Sequence, residues 1–121
     1  MAVPKLDFVL LFVENPAKSA EFYSKLLESK PLEQSPTFAL FSLNGSLLGL
    51  WSCDTAEPRV TAQPGASEIA FCEEDVDAVY EKWLAMNIPM LQGPVELDFG
   101  RSFVALDPDG HRIRVLKLGG E

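Results

Sequence analysis

The most constraining feature of this sequence is that one order of predicted elements, a strand, a helix and three strands, occurs twice. The first copy spans residues 6–53 and the second spans residues 67–118. Each copy has one helix, which can cover only one face of its sheet, so the other faces must meet each other or a ligand. We therefore predict an α+β protein in which residues 1–121 form a single domain of two βαβββ modules, joined by a linker at residues 54–66.

Two dipeptides set the predicted hairpins. Asn44-Gly45 interrupts an apolar segment of the first copy, and Asp109-Gly110 interrupts residues 101–118 in the second copy. Glycine accepts positive φ, and asparagine and aspartate tolerate it, so both dipeptides favour tight turns between antiparallel strands. The predicted strands are 7–13, a short edge strand between Pro31 and Pro36, 38–43, 47–53, 67–73, 90–97 and the two arms of 101–118.

Each copy also contains one amphipathic helix that begins at a residue able to cap it. Asn15 precedes Pro16, which is favourable at the first helical position, and Asp75 caps the second helix. Apolar residues of the second helix recur every three or four positions, so Tyr80 and Trp83 fall on one apolar stripe. We expect both of these aromatic side chains in the core rather than in a binding site.

Composition narrows the classes of function. An apolar content of 47% over 121 residues is enough for one folded core. A net charge of −8, with 10 lysines and arginines, disfavours binding to a nucleic-acid backbone. No segment reaches the roughly 18 apolar residues of a membrane helix, and no signal-peptide pattern is present, so we expect a cytoplasmic protein. Cys53 and Cys72 are expected as buried thiols, with one disulfide between them as the alternative.

Three motifs resemble those of the vicinal oxygen chelate superfamily, which includes glyoxalase I, extradiol dioxygenases and bleomycin-type antibiotic resistance proteins. They are ENPxxSxxFY at 14–23, IAFxxxDVD at 69–77, and FGR followed by DPDG within 99–110. Within that superfamily the chain is most similar to the small phenazine-antibiotic resistance proteins, which have counterparts of LWS at 50–52, SEI at 67–69 and IRV at 113–115. The resemblance implies curved half-barrel sheets that enclose a pocket, and a homodimer.

The same resemblance implies where a metal ion would bind in this chain. Metal-dependent members carry His, Gln or Glu at four positions, which fall here on Phe8, Gly49, Glu68 and Arg114. Phenylalanine and glycine offer no lone pair, and arginine is a permanent cation. One carboxylate does not hold a catalytic divalent ion, so we predict no metal, no cofactor and no catalytic residue. His111, the only histidine, is expected to be an exposed turn residue.

Strand alternation predicts which side chains line the pocket, because neighbouring side chains point to opposite faces of a sheet. Alignment of the two helix caps pairs Phe8 with Glu68. Alignment of the two turn glycines pairs Gly49 with Arg114. Gly49 and Trp51 then share the concave face, where the glycine would let a flat ring approach the strand beside the indole. The candidate ligand-binding residues are Phe8, Phe12, Trp51, Glu68, Phe99 and Arg114.

These assignments have structural alternatives. The three aromatic strand residues fit core packing between sheets equally well. We expect Glu68 and Arg114 to form an ion pair in place of the metal, which would still present donors to a ligand carboxylate. Phe99 either caps the mouth of the pocket or is an exposed loop aromatic.

The sequence therefore predicts a non-catalytic protein that sequesters a planar aromatic antibiotic of the phenazine or bleomycin type, acting as a homodimer. The first alternative is a metal-dependent enzyme of the glyoxalase or dioxygenase type with displaced ligands. The second alternative is a ligand-sensing or interaction module without catalysis. The missing metal ligands argue against the enzyme, and an aromatic pocket distinguishes the binding protein from the sensing module only once it is shown to bind a compound.

Overall fold

Each half of the chain folds into one helix and a four-stranded sheet in the computed structural model, which describes residues 3–119. The two units divide after Pro64, and residues 53–67 contain no helix or strand. The α+β class predicted from the sequence is confirmed. The first unit holds β1 (Phe8–Val13), α1 (Pro16–Leu27), β2 (Glu33–Gln34), β3 (Phe38–Leu43) and β4 (Ser46–Ser52). The second unit holds β5 (Glu68–Cys72), α2 (Val76–Ala85), β6 (Met90–Leu97), β7 (Gly100–Leu106) and β8 (Arg112–Leu118).

Both sheets have the same topology. The strand order is β1-β4-β3-β2 in the first unit and β5-β8-β7-β6 in the second, and in each sheet only the pair of first and last strands is parallel. Leu10 pairs with Gly49 across β1 and β4. Ala70 pairs with Arg114 across β5 and β8. Leu10 and Ala70 occupy equivalent positions before their helix caps, so the alignment of Gly49 with Arg114 is confirmed.

The first helix begins where the sequence predicts. The side chain of Asn15 accepts hydrogen bonds from the backbone N–H groups of Ala17 at 3.1 Å and Lys18 at 3.2 Å, and Pro16 occupies the first turn. These bonds satisfy donors that a helix start leaves unpaired. The helix contacts β3 and β4, and its apolar stripe closes the core of the unit. The buried apolar side chains are Leu11, Val13, Ala20, Tyr23, Leu26, Ala39, Phe41, Leu48 and Leu50.

The second helix repeats this arrangement with larger aromatic side chains. Asp75 accepts a hydrogen bond from the backbone N–H of Ala78 at 3.0 Å, which confirms the predicted cap. Trp83 and Tyr80 both pack edge-on against Phe103, with ring centroids 5.4 Å and 5.3 Å apart. Trp83 and Phe103 are buried and Tyr80 is half-buried. The prediction that Trp83 belongs to the core is confirmed, and Tyr80 lies at its edge.

An ion network links the start of α2 to the hairpin of β6 and β7. Arg101 donates to both oxygens of Asp77, at 3.0 and 3.2 Å from Nε, and from Nη1 to Glu96 at 3.2 Å. The hydrogen bond to Asp77, followed by that to Glu96, raises the pKa of Arg101 above its ordinary value. Both acceptors of Arg101 thus lie in its own unit, where they hold its guanidinium.

The prediction for His111 is wrong. It is 2% exposed, and its Nδ1 accepts a hydrogen bond from the backbone N–H of Ser67 at 3.2 Å. The strands are joined by residues 107–111 rather than by a two-residue turn at Asp109-Gly110. The carboxylate of Asp107 accepts the backbone N–H groups of Asp109 and His111, each at 2.9 Å. This loop turns the imidazole inward, where it fixes the chain entering β5.

Two expectations drawn from composition concern the cysteines and the membrane. Cys53 and Cys72 are free thiols, so the alternative of a disulfide is not realised. The expectation that both are buried is wrong, since Cys53 is half-buried and Cys72 lies on the exposed side of β5. No helix within residues 3–119 is both long and apolar enough to cross a membrane.

Candidate functional site

The first unit presents an aromatic face, formed by Phe8, Phe12, Phe38 and Trp51. The rings of Phe12 and Trp51 are tilted by 31° with centroids 6.1 Å apart. Phe38 meets Trp51 edge-on at 6.3 Å. Phe8 is 42% exposed and the other three are half-buried. The face therefore offers aromatic surface that the unit itself leaves partly uncovered.

The side chains of this face are selected by strand alternation. Along β4, Leu48 and Leu50 are buried in the core of the unit, whereas Trp51 is only half-buried. Trp51 pairs with Phe12 on one side and with Phe38 on the other. The predicted assignment of faces along β1 and β4 is therefore confirmed, because paired residues point to the same side of a sheet.

The surroundings of Gly49 differ from the prediction. A Cβ at this residue would lie 2.6 Å from Leu10 Cδ2, 2.9 Å from Phe8 Cε1 and 3.1 Å from Phe38 Cζ. Side chains of the neighbouring strands thus close over the glycine, and the expectation that a flat ring reaches its backbone is wrong. Because glycine has no side chain, it allows these rings to converge. The exposed surface is therefore made of rings rather than of open backbone.

The second unit presents a charged cluster, formed by Glu68, Phe99, Ser102, Arg112 and Arg114. Arg114 donates from Nε to Glu68 Oε2 at 2.8 Å and from Nη1 to Ser102 Oγ at 2.9 Å. The predicted ion pair between Glu68 and Arg114 is confirmed. The guanidinium carbon of Arg114 lies 5.8 Å from the ring centroid of Phe99, a cation–π distance. Arg112 Nη1 lies 3.9 Å from Glu68 Oε1.

The four family metal positions do not fit a divalent cation. Phe8 has no ligand atom, and the space beside Gly49 is filled by the side chains of its neighbours. Arg114 is itself a cation, and its guanidinium forms a salt bridge with the carboxylate of Glu68. We therefore assign no metal chemistry to these residues.

One other group of potential ligands occurs within the described residues. The ligand atoms of Asp107, Asp109 and His111 all lie within 4.8 Å of one another. The Asp107 carboxylate accepts two backbone N–H groups, and the His111 Nδ1 accepts one. These bonds hold the hairpin loop in shape, and they account for the proximity of the three side chains.

Two residues that shape these faces were not predicted from the sequence. Phe38 could have been found, because a two-residue turn at Asn44-Gly45 pairs residues symmetrically and places Phe38 opposite Trp51. Ser102 could not. The sequence suggested a two-residue turn at Asp109-Gly110, which would shift the register of β7 by one residue. Such a shift moves every side chain of β7 to the other face, so Ser102 would have been placed away from Arg114.

The chain belongs to the Glyoxalase/Bleomycin resistance protein/Dioxygenase superfamily, whose family model matches residues 5–115. The resemblance stated from the sequence motifs is thereby confirmed. A solved structure from Agrobacterium tumefaciens, determined by solution NMR, has 45% sequence identity and a TM-score of 0.85, and the match covers 98% of this chain and 100% of that one. The shared fold therefore extends over both units.

Two curated relatives carry functional names. The phenazine antibiotic resistance protein EhpR of Enterobacter agglomerans is 34% identical over 116 residues, which cover 90% of this chain and 88% of EhpR. The metallothiol transferase FosB of Staphylococcus haemolyticus is 31% identical over 113 residues, which cover 91% of this chain and 81% of FosB. The relatives of this chain thus include a resistance protein and a transferase.

Proposed function

We propose that this protein binds and sequesters a planar aromatic compound of the phenazine kind, as a non-catalytic antibiotic resistance protein. The observation that carries the proposal is the aromatic face, where Phe12 and Phe38 flank a half-buried Trp51 with ring centroids 6.1 and 6.3 Å away. Aromatic rings attract one another in tilted, offset and edge-on arrangements. A flat polycyclic ligand can make such contacts with all three rings.

Two further observations support this function. EhpR is named for phenazine antibiotic resistance, and its similarity covers 90% of this chain. The four side chains of the aromatic face are also uncharged aromatic rings, which suit a ligand with a mainly apolar ring system. Stacking of this kind contributes on the order of 0.5–1.5 kcal/mol beyond the area buried.

A second candidate function is a metal-dependent transferase, which the similarity to FosB favours. The residues at the family metal positions argue against it. Glu68 is the single potential ligand among the four, and its carboxylate is paired with Arg114. A protein that only binds an aromatic compound needs no metal-coordinating side chain at these positions. The binding function therefore accounts for the residues better than the transferase function does.

Isothermal titration calorimetry with phenazine tests the proposal. The wild-type protein should bind phenazine, and Trp51→Ala should weaken binding by about tenfold or more, since about 1.4 kcal/mol corresponds to a factor of ten. Leu84→Ala is the matched control, because Leu84 is an exposed apolar residue of α2 outside the aromatic face. This control should leave the affinity unchanged.

Fluorescence gives an independent readout. The chain has two tryptophans, so Trp83→Phe leaves Trp51 as the single source of tryptophan emission. Phenazine should quench this emission at concentrations that match the calorimetric affinity. Failure of the wild-type protein to bind phenazine at millimolar concentration would overturn the proposal, as would an unchanged affinity in Trp51→Ala.

A further inference from the structure

The guanidinium of Arg114 is held in one orientation by three neighbours. Glu68 accepts from Nε at 2.8 Å and from Nη2 at 3.5 Å, and Ser102, which is fully buried, accepts from Nη1 at 2.9 Å. Phe99 lies against the guanidinium at 5.8 Å from its ring centroid. The Arg114 side chain is 16% exposed. A group fixed in this way loses little conformational entropy when it binds a ligand.

Two donors of Arg114 remain available. A guanidinium has five N–H groups, one on Nε and two on each terminal nitrogen. The bonds to Glu68 and Ser102 use three of them, which leaves one N–H on Nη1 and one on Nη2 without a partner in residues 3–119. The two oxygens of a carboxylate match such a pair of donors and form short, charge-assisted bonds.

The charge of the cluster also favours an anion. The Glu68 carboxylate lies 2.8 Å from Arg114 and 3.9 Å from Arg112, so one negative group faces two guanidiniums. One positive charge is left uncompensated on the surface of a chain whose net charge is −8. A local positive patch on an acidic protein attracts small anions selectively, because the rest of the surface repels them.

Two neighbours of Arg114 are exposed. Its partner in the neighbouring strand is Ala70, a small residue that is itself exposed. Phe99 is 41% exposed and offers a ring surface beside the guanidinium. A ligand can therefore approach the two free donors while its apolar part contacts an aromatic ring.

We infer that the charged cluster binds the carboxylate of an aromatic carboxylic acid, whose ring contacts Phe99 beside the Arg114 guanidinium. The choice of a phenazine acid as this ligand rests on the proposed function. The carboxylate contact rests on Arg114 alone and stands apart from Trp51. Arg114 is thus the residue that determines specificity for an acidic ligand.

The test compares phenazine-1-carboxylate with phenazine-1-carboxamide, which has the same ring system and no charge, by calorimetry at pH 7. The wild-type protein should bind the acid about tenfold or more tightly than the amide. Arg114→Gln should bring the two affinities within about twofold, chiefly by weakening the acid. Arg101→Gln is the matched control, because that arginine is occupied by Asp77 and Glu96 and should leave the preference unchanged.

Glu68→Gln supplies a second variant that does not depend on the folding of Arg114→Gln. It removes the carboxylate that competes for the guanidinium, so affinity for the acid should rise several-fold while affinity for the amide stays constant. A residue with a merely structural role would not produce this gain. Unfolding of each variant is monitored by its melting temperature.

The outcomes separate this inference from the proposed function. Equal affinities of the wild-type protein for acid and amide would overturn the inference and leave aromatic binding intact. An acid preference that is lost in Arg114→Gln, with affinities that Trp51→Ala leaves unchanged, would support the inference and overturn the proposed role of the aromatic face. Weaker acid binding in Glu68→Gln would contradict the inference directly.

Discussion

Gly49 lies directly beneath the side chain of Leu10, so that a Cβ added to the glycine would stand 2.6 Å from Leu10 Cδ2. Gly49→Ala must therefore displace Leu10 and Phe8, but both side chains are about two-fifths exposed and can move outward. We expect a loss of stability below about 1 kcal/mol, at the lower limit of the cost of overpacking a closed core. Phenazine affinity should fall several-fold because the aromatic face is rearranged. Urea unfolding and calorimetry measure the two effects.

Gly45→Ala is the control for this variant. Gly45 has a φ of +100°, and a Cβ added there would meet no atom within 4 Å beyond its chain neighbours, so an alanine is strained without a steric clash. Left-handed backbone costs a side-chain-bearing residue on the order of 1–2 kcal/mol. Gly45→Ala should thus lose stability and keep its phenazine affinity, and the reverse pattern would contradict our description of the aromatic face.

The two tryptophans should respond differently to truncation. Trp83 is 6% exposed and packs against Phe103, so Trp83→Ala opens a cavity that costs about 3–5 kcal/mol. Trp51 is half-buried on the aromatic face, so Trp51→Ala should cost clearly less. Chemical denaturation of both variants gives the comparison. Equal losses would mean that Trp51 is a core residue.

Sequence reasoning succeeded where a short rule determines the geometry. The dipeptide Asn44-Gly45 fixes a two-residue turn, the turn fixes the register of β3 and β4, and the register places Trp51 on the face opposite Leu50. The same rule applied to Asp109-Gly110 misplaced the turn. Apolar alternation thus predicts the face of a residue only when the length of the adjoining loop is known.

The failures at His111 and Ser102 also involve contacts between residues that are distant in sequence. The inward position of His111 depends on the N–H of Ser67, and the orientation of Arg114 depends on Ser102. Periodicity describes one strand at a time and contains no information on such partners. The ion pair of Arg114 with Glu68 was predicted because the repeat of the chain aligned two halves of one site.

The residues at the family metal positions predict that the purified protein holds well below one divalent ion per chain. Glu68 is the only potential ligand among them, and it is paired with Arg114. Mass spectrometry of metals in protein purified without chelator measures the content. A stoichiometric ion that is lost in Glu68→Ala would contradict the assignment and favour the transferase function.

We propose that the protein is a homodimer, as the family resemblance implies. Large apolar side chains are exposed in both units, and an interface between two copies would cover such side chains. The most exposed examples include Leu6, Leu32 and Leu118. Light scattering coupled to gel filtration should give twice the mass of the chain at micromolar concentration. A stable monomer under these conditions would exclude the homodimer.

The hydrogen bond from the Ser67 N–H to His111 Nδ1 should contribute measurably to stability. His111 is buried, so His111→Ala leaves the Ser67 donor without its acceptor and removes the ring that fills the loop. Loss of the hydrogen bond costs about 0.5–1.5 kcal/mol, because Ser67 is itself exposed and water can replace the acceptor, and the cavity left by the ring adds to this loss. His111→Asn is the matched variant, because its side-chain oxygen can take the place of Nδ1, and it should lose less. Urea unfolding measures both losses, and hydrogen exchange of the Ser67 amide should be faster in His111→Ala than in His111→Asn. An alanine variant within about 0.5 kcal/mol of the wild-type protein, a difference ordinary for surface substitutions, would show that the bond does not hold the chain entering β5.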